Sequence, residues 1–161
     1  MRPSFENKFC EPVSLATRST ELEQKLVFTN GVFDVLHRGH VTYLAEARAL
    51  GASLIVALNS DASVKRLGKG DDRPINTLED RMAVIAALEC VSLVTWFEED
   101  TPLARIIESR PDVLVKGGDW AIDKIVGGTE VMSWGGSVHA INFQFERSTT
   151  ATLAKIRAQS K

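Results

Sequence analysis

Short apolar runs of strand length recur along this chain, each followed by a segment with helical spacing, and that alternation leaves few folds open. The runs fall at 26–29, 54–58, 91–96, 113–115 and 138–143. Between them, Val41, Leu44, Ala45 and Ala47 lead to a Gly51 stop, a short helix opens near Asp61, and Met82, Ile85, Ala86 and Leu88 follow Thr77 with helical spacing. Thr77 through Asp80 reads as a capping box with Asp in its third place. Pro102 suits the first position of a further helix capped by Asp100 or Thr101, and a last helix is expected from Ser148. Strands separated by helices imply βαβ units and a parallel sheet covered on both faces, a doubly wound α/β domain. Ligands of such sheets bind beyond the carboxyl ends of strands, where strand order reverses. Function is therefore expected in 30–40, 59–66, 116–120 and 147–150.

The 161 residues have room for one domain of this kind. Residues 1–25, with Pro3 and Pro12 and no apolar periodicity, read as a loose arm with a short helix at 19–24, and 26–161 as the working domain. A polar stretch at 68–76 reads as a loop that becomes ordered when a ligand binds. Nineteen basic against 21 acidic side chains give a net charge of −2, which disfavours a general nucleic-acid binder. No apolar run approaches the roughly 20 residues of a membrane span, and the amino terminus lacks a secretory pattern. Cys10 and Cys90 lie far apart with no metal-ligand spacing around either, so a reducing, cytoplasmic setting is expected.

The richest segment is 29–40, Thr-Asn-Gly-Val-Phe-Asp-Val-Leu-His-Arg-Gly-His, between the first strand and its helix. It is neither a G-x-G-x-x-G nor a Walker loop. His37 and His40 stand at a helix start with Gly39 between them, near backbone N–H groups that no helical carbonyl satisfies. That arrangement suits a polyphosphate, and imidazole donors would stabilise the charge that builds on a phosphoryl group in transfer. Zinc is not expected, because His139 is the only other histidine and no cysteine is near in sequence.

The His-x-Gly-His signature in its Gly-Val-Phe-Asp setting resembles the nucleotidylyltransferase superfamily, Rossmann-like enzymes that join a phosphorylated substrate to a nucleoside monophosphate and release pyrophosphate. The superfamily's second signature, Ser-(Ser/Thr)-Thr at a helix start, is matched by Ser148, Thr149 and Thr150. A finer likeness runs from about Leu26 to Arg157. The strings at 59–67, 73–76 (Arg-Pro-Ile-Asn), 98–102, 115–120 and 142–143 resemble the heptose 1-phosphate adenylyltransferases. In many relatives this domain follows a sugar kinase, for which this chain has no room.

The resemblance implies ATP and heptose 1-phosphate as substrates, Mg²⁺ on the triphosphate, ADP-heptose for the inner core of bacterial lipopolysaccharide as product, and a homo-oligomer with neither nucleic acid nor membrane as partner. It gives His37, His40 and Lys116 catalytic roles. Asn30, Gly31, Val32, Phe33, Gly39, Arg81, Arg147, Ser148, Thr149 and Thr150 are then expected on the nucleotide. Asp34, Asn59, Asp61, Lys65, Gly117, Gly118, Asp119 and Trp120 are expected on the sugar phosphate, with Trp120 covering an apolar sugar face. Trp134 and Phe143 read as packing. Cytidylyltransferases of the superfamily carry an Arg several positions before the second signature; here Arg147 is immediately adjacent. Two rivals stay open: a cytidylyltransferase acting on glycerol 3-phosphate or a related phosphate, and a nucleotide-binding regulatory module without turnover.

Overall fold

Val27, Phe28 and Thr29 are of residue types that suit extended backbone, and β1 (Leu26–Gly31) runs through them. β2 (Ser53–Asn59), β3 (Leu93–Phe97), β4 (Val113–Gly117) and β5 (Ser137–Ile141) join it in a computed structural model that describes residues 3–68, 70, 72–145 and 149–159. The order is β3–β2–β1–β4–β5 and every pairing is parallel. Chain progress reverses between β1 and β4, where Thr29 lies level with Val115.

Because side chains alternate along a strand, each one supplies both faces. Val27, Leu54, Val56, Leu58, Val113 and Val115 pack with α2 (Arg38–Arg48) and α4 (Leu78–Ala86) through Tyr43, Leu44, Ala47, Met82 and Ile85. Leu26, Phe28, Ile55, Ala57, Leu93 and Leu114 form the opposite core with α1 (Leu15–Thr20), α5 (Leu103–Ser109) and α6 (Gly128–Ser133). α3 (Asp61–Arg66) and α7 (Thr149–Gln159) complete the described helices. Thr77 caps α4 as expected, accepting from the Asp80 N–H at 3.3 Å while its own hydroxyl donates to the Asp80 carboxylate.

Several expectations are corrected. The amino-terminal segment is packed: Phe9 bridges Val94, the Cys10 N–H donates to the Val94 carbonyl at 2.9 Å, and Leu15 is fully buried. It covers the otherwise open edge of β3, a role with no apolar periodicity to announce it. The helix expected at 19–24 lies at Leu15–Thr20. On α2, Val41 and Ala45 are exposed, and Tyr43 takes the buried place. Pro102 precedes α5 as its cap, without a side-chain cap from Asp100 or Thr101. In the stretch at 68–76, Lys69 and Asp71 lie outside the described residues, but Arg73, Ile75 and Asn76 are bound to Asp34 and need no ligand to hold them.

Leu15→Ala should lower unfolding free energy by about 2–5 kcal/mol, as for other fully buried leucines. Urea unfolding checks this, and a loose arm would give almost no change.

Candidate active site

β1 ends in Asn30 and Gly31, and the turn after them is tight enough to place Phe33 at φ +47°. A non-glycine residue there is strained, and such strain persists only where the surroundings enforce it. Here the Phe33 ring lies on Gly31, where a Cβ would come within 2.8 Å of it. Arg81 holds the turn from beneath. Its buried guanidinium donates to the carbonyls of Val32 (2.9 Å) and Asn76 (3.1 Å) and to Asp61 Oδ1 (2.7 Å). Next along, the Asp34 carboxylate accepts from the N–H groups of Ile75 and Asn76 and from Arg73 Nε. Burial by itself would push this carboxyl's pKa up, but the bonds from Asn76, Ile75 and Arg73 outweigh it and hold the pKa below the usual value.

With the turn so anchored, His37 caps α2 in extended conformation and its Nδ1 accepts the His40 N–H at 3.4 Å. That bond leaves the neutral ring's proton on Nε2. The two imidazoles stack with centroids 3.7 Å apart and planes 18° apart, and the Phe33 ring meets His40 edge-on at 5.2 Å. Burial pushes the His37 pKa down. At neutral pH it is therefore an uncharged donor.

Two cavities open at the strand-order reversal and share Asn30, Gly31, Val32, Lys116 and Trp120 as a common wall. The larger, about 560 Å³, lies over the α2 face and is lined by His37, His40, Arg73, Phe143, Thr149 and Thr150 among others. The smaller, about 400 Å³, lies over the opposite face between Asn59, Leu67, Phe97, Asp100, Pro102 and Ile125. Lys116 Nζ stands in the wall, 3.3 Å from Asn30 Oδ1 and 5.9 Å from the Trp120 ring centroid. Trp120 is half exposed and tethered by its indole N–H to the Gly117 carbonyl at 3.1 Å. Gly117 lines the larger cavity, and a Cβ on it would meet the Phe143 ring at 2.7 Å.

Of the residues singled out in sequence, His37, His40, Lys116, Asn30, Gly31, Val32, Phe33, Gly117, Thr149, Thr150, Asn59 and Trp120 thus come together around the two cavities. Others are placed differently. Arg81 lines neither cavity; its guanidinium is engaged within the protein, with Asp61 among its acceptors. Asp34 lines the larger cavity, and its carboxylate is fully covered and engaged by Arg73, Ile75 and Asn76. Lys65, on an exposed face of α3, and Asp119, exposed in the loop after β4, line neither cavity. Gly39 is buried in the first turn of α2, and Gly118 joins β4 to β5 through its N–H to the Ile141 carbonyl. The Thr149 hydroxyl donates to the Val35 carbonyl at 3.4 Å, and the residue lines the larger cavity. Arg147 and Ser148 lie outside the described residues. Arg73, Tyr43 and Phe143 are cavity residues that sequence reasoning missed. Phe143 follows a strand end, which is a signal in this topology; Arg73 carries none beyond its place in the Arg-Pro-Ile-Asn segment at 73–76.

The sequence profile of the cytidylyltransferase-like family matches residues 28–156, from mid-β1 into α7. The chain belongs to that family. Within it, the chain is 57% identical over 155 residues to the D-beta-D-heptose 1-phosphate adenylyltransferase of Bordetella bronchiseptica, covering 95% of this chain and 96% of that one. It is 56% identical over 134 residues to the bifunctional protein HldE of Hahella chejuensis, covering 83% of this chain but only 28% of that protein. Among solved structures, the lipopolysaccharide core biosynthesis protein of Thermoplasma volcanium superposes with a TM-score of 0.61 at 29% identity, over 76% of this chain and 98% of its own.

His37 should titrate with a midpoint below the ordinary imidazole value of 6.5. Its folded pKa lies below its unfolded one, so its contribution to stability is complete above pH 6.5 and is lost as pH falls through the folded pKa. Imidazole NMR titration of the ligand-free chain checks the midpoint; a value at or above 6.5 contradicts the burial argument.

Proposed function

We infer that this chain transfers the adenylyl group of ATP to D-glycero-β-D-manno-heptose 1-phosphate, giving ADP-heptose and pyrophosphate. The observation that carries the reading is the near end-to-end identity to the Bordetella enzyme. The two cavities support it, since a transfer between two phosphorylated molecules needs two binding spaces meeting at the transferred phosphorus. The product class is consistent with the lipopolysaccharide core role named for the Thermoplasma protein.

In this reading the larger cavity takes ATP and the smaller the sugar phosphate. A phosphate oxygen of the sugar is already ionised at neutral pH, so no base is required; the site's task is alignment and charge stabilisation. Lys116, in the wall between the cavities, neutralises charge where the new bond forms. His37 and His40 donate to the phosphoryl oxygens as negative charge builds on them. The N-terminal turn of α7, with Thr149 and Thr150 at the cavity, receives the distal phosphates on its backbone N–H groups. In the smaller cavity the Trp120 indole covers a sugar face, and Asn59 and Asp100 are among the polar groups placed to meet hydroxyls.

The protein itself offers Mg²⁺ little. Among the described residues there is no cluster of three metal-ligating side chains, and the Asp34 carboxylate at the larger cavity is spent on Arg73, Ile75 and Asn76. The residues present do not fit a protein-held ion, and Mg²⁺ is proposed only as the counter-ion that ATP carries in.

The test is product identification by mass spectrometry after incubation with ATP, CTP or GTP and with each heptose 1-phosphate anomer or glycerol 3-phosphate. ADP-heptose from ATP and the β anomer is expected. CDP-glycerol would install the cytidylyltransferase reading, and tight ATP binding without pyrophosphate release would install the regulatory one. His37→Ala and His40→Ala should each lower kcat by about 10²-fold or more, the usual loss for one charge-stabilising donor, with Tm little changed. Lys116→Ala should lower kcat/KM far more than it lowers Tm.

A further inference from the structure

Arg73 lies at the larger cavity with its side chain only 6% exposed. Its Nε donates to Asp34 Oδ2 at 2.5 Å, and among the described residues neither terminal nitrogen has a hydrogen-bond partner. A guanidinium carries five N–H donors in one plane. Nε is spent on Asp34, and the terminal N–H groups, which no protein acceptor meets among the described residues, remain for an acceptor that enters the cavity. The acceptor that matches a planar fork of cationic donors is an anionic group with paired oxygens, a phosphate or a carboxylate.

The plane of that fork is set in advance. Asp34 grips the Nε side, and Asp34 is itself gripped by the Ile75 and Asn76 N–H groups at 2.9 Å. The Nε side of the guanidinium is thus held, and Arg73 lines the same cavity as His37, His40, Thr149 and Thr150. Arg81, the other buried arginine of this region, differs: Nε, Nη1 and Nη2 all have protein acceptors, so it has little left for a ligand.

Position then selects which phosphate. Lys116 lines both cavities, whereas Arg73 lines only the larger one. In an in-line displacement the entering and leaving oxygens lie on opposite sides of the phosphorus. A cation shared by both cavities serves the transferred phosphoryl group, and a cation confined to the nucleotide side, away from the sugar cavity, serves the leaving group. We propose that Arg73 is a pyrophosphate-binding residue of this site, holding the β- and γ-phosphates of ATP and the pyrophosphate they become. The assignment rests on the reading above of which cavity takes ATP.

The experiment is calorimetric titration of the full chain and of Arg73→Lys and Arg73→Gln with inorganic pyrophosphate, AMP and heptose 1-phosphate, with Tm measured alongside. Loss of charge-assisted bonds should weaken pyrophosphate by about tenfold or more in Arg73→Gln, with a smaller loss in Arg73→Lys and a change below about twofold for AMP and heptose 1-phosphate. Pyrophosphate affinity unchanged in Arg73→Gln, with or without a lower Tm, overturns the proposal and leaves Arg73 as the structural partner of Asp34. An equal loss for all three ligands also overturns it. Should Arg73→Gln not fold, the side-chain Nε–H resonance of Arg73 in the unaltered chain decides: it should shift on saturation with pyrophosphate and not with heptose 1-phosphate, and an unmoved resonance overturns the proposal. A chain that makes ADP-heptose while Arg73→Gln keeps its pyrophosphate affinity defeats this inference alone. An unaltered chain that makes no nucleotide sugar and binds neither ATP nor pyrophosphate defeats the functional reading, and this inference with it.

Discussion

The carboxylate of Asp34 lies wholly out of solvent, 2.9 Å from the N–H groups of both Ile75 and Asn76 and 2.5 Å from Nε of Arg73. Burying a charge is unfavourable unless it is met on every side, and here three donors from one short segment meet it. The bond pattern ties the β1–α2 turn to a segment some forty residues further on. Arg81 makes a second tie two residues earlier, joining Val32 to Asn76 and to the first turn of α3. Removing one member of a buried, bonded ion pair typically costs about 3–5 kcal/mol, a large share of a small domain's stability. The turn that leads to His37 is therefore tied at two points to distant segments. That matters for the chemistry, because donors aimed at a transition state are effective only when they need not be reorganised during the reaction.

Topology supplies what the anchors then hold. With β1 central and later strands laid to both sides, the connections after β1 and β4 depart to opposite faces of the sheet, and a gap opens between them. Each face contributes a cavity, and the side chains at the two strand ends, Asn30 and Lys116, stand where the cavities meet. The Lys116–Asn30 bond keeps the ammonium group in that wall. Trp120, tethered to Gly117, extends the wall outward. Two substrates can thus occupy separate spaces and still share one cation.

Much of this was legible before any coordinates. Apolar runs of strand length and helical spacing are local properties, and they placed five strands and most helices within a few residues. The His-x-Gly-His segment was legible because its chemistry is contained in a dozen consecutive residues, as was the Thr77 cap. The failures share a cause. Phe9 and Cys10 close a sheet edge through main-chain bonds, which leave no trace in side-chain periodicity. Val41 and Ala45 fit an apolar stripe on composition, but the stripe that faces the sheet runs through Tyr43 and Leu44.

The sequence by itself determined the parallel α/β architecture and set the histidine pair and the strand-end lysine at the carboxyl end of the sheet. Only the tertiary structure decided which charged residues are available to a ligand. Asp34, Asp61, Arg73 and Arg81 are all ionisable residues in or beside recognisable strings, and nothing local distinguishes a charge that will be consumed internally from one that will face a cavity. A charged group's partner is set by which distant segment the crossover connections bring against it. In this fold they bring residues 73–76 onto Asp34 and Asp61 onto Arg81, while Lys116 and Arg73 line the cavities.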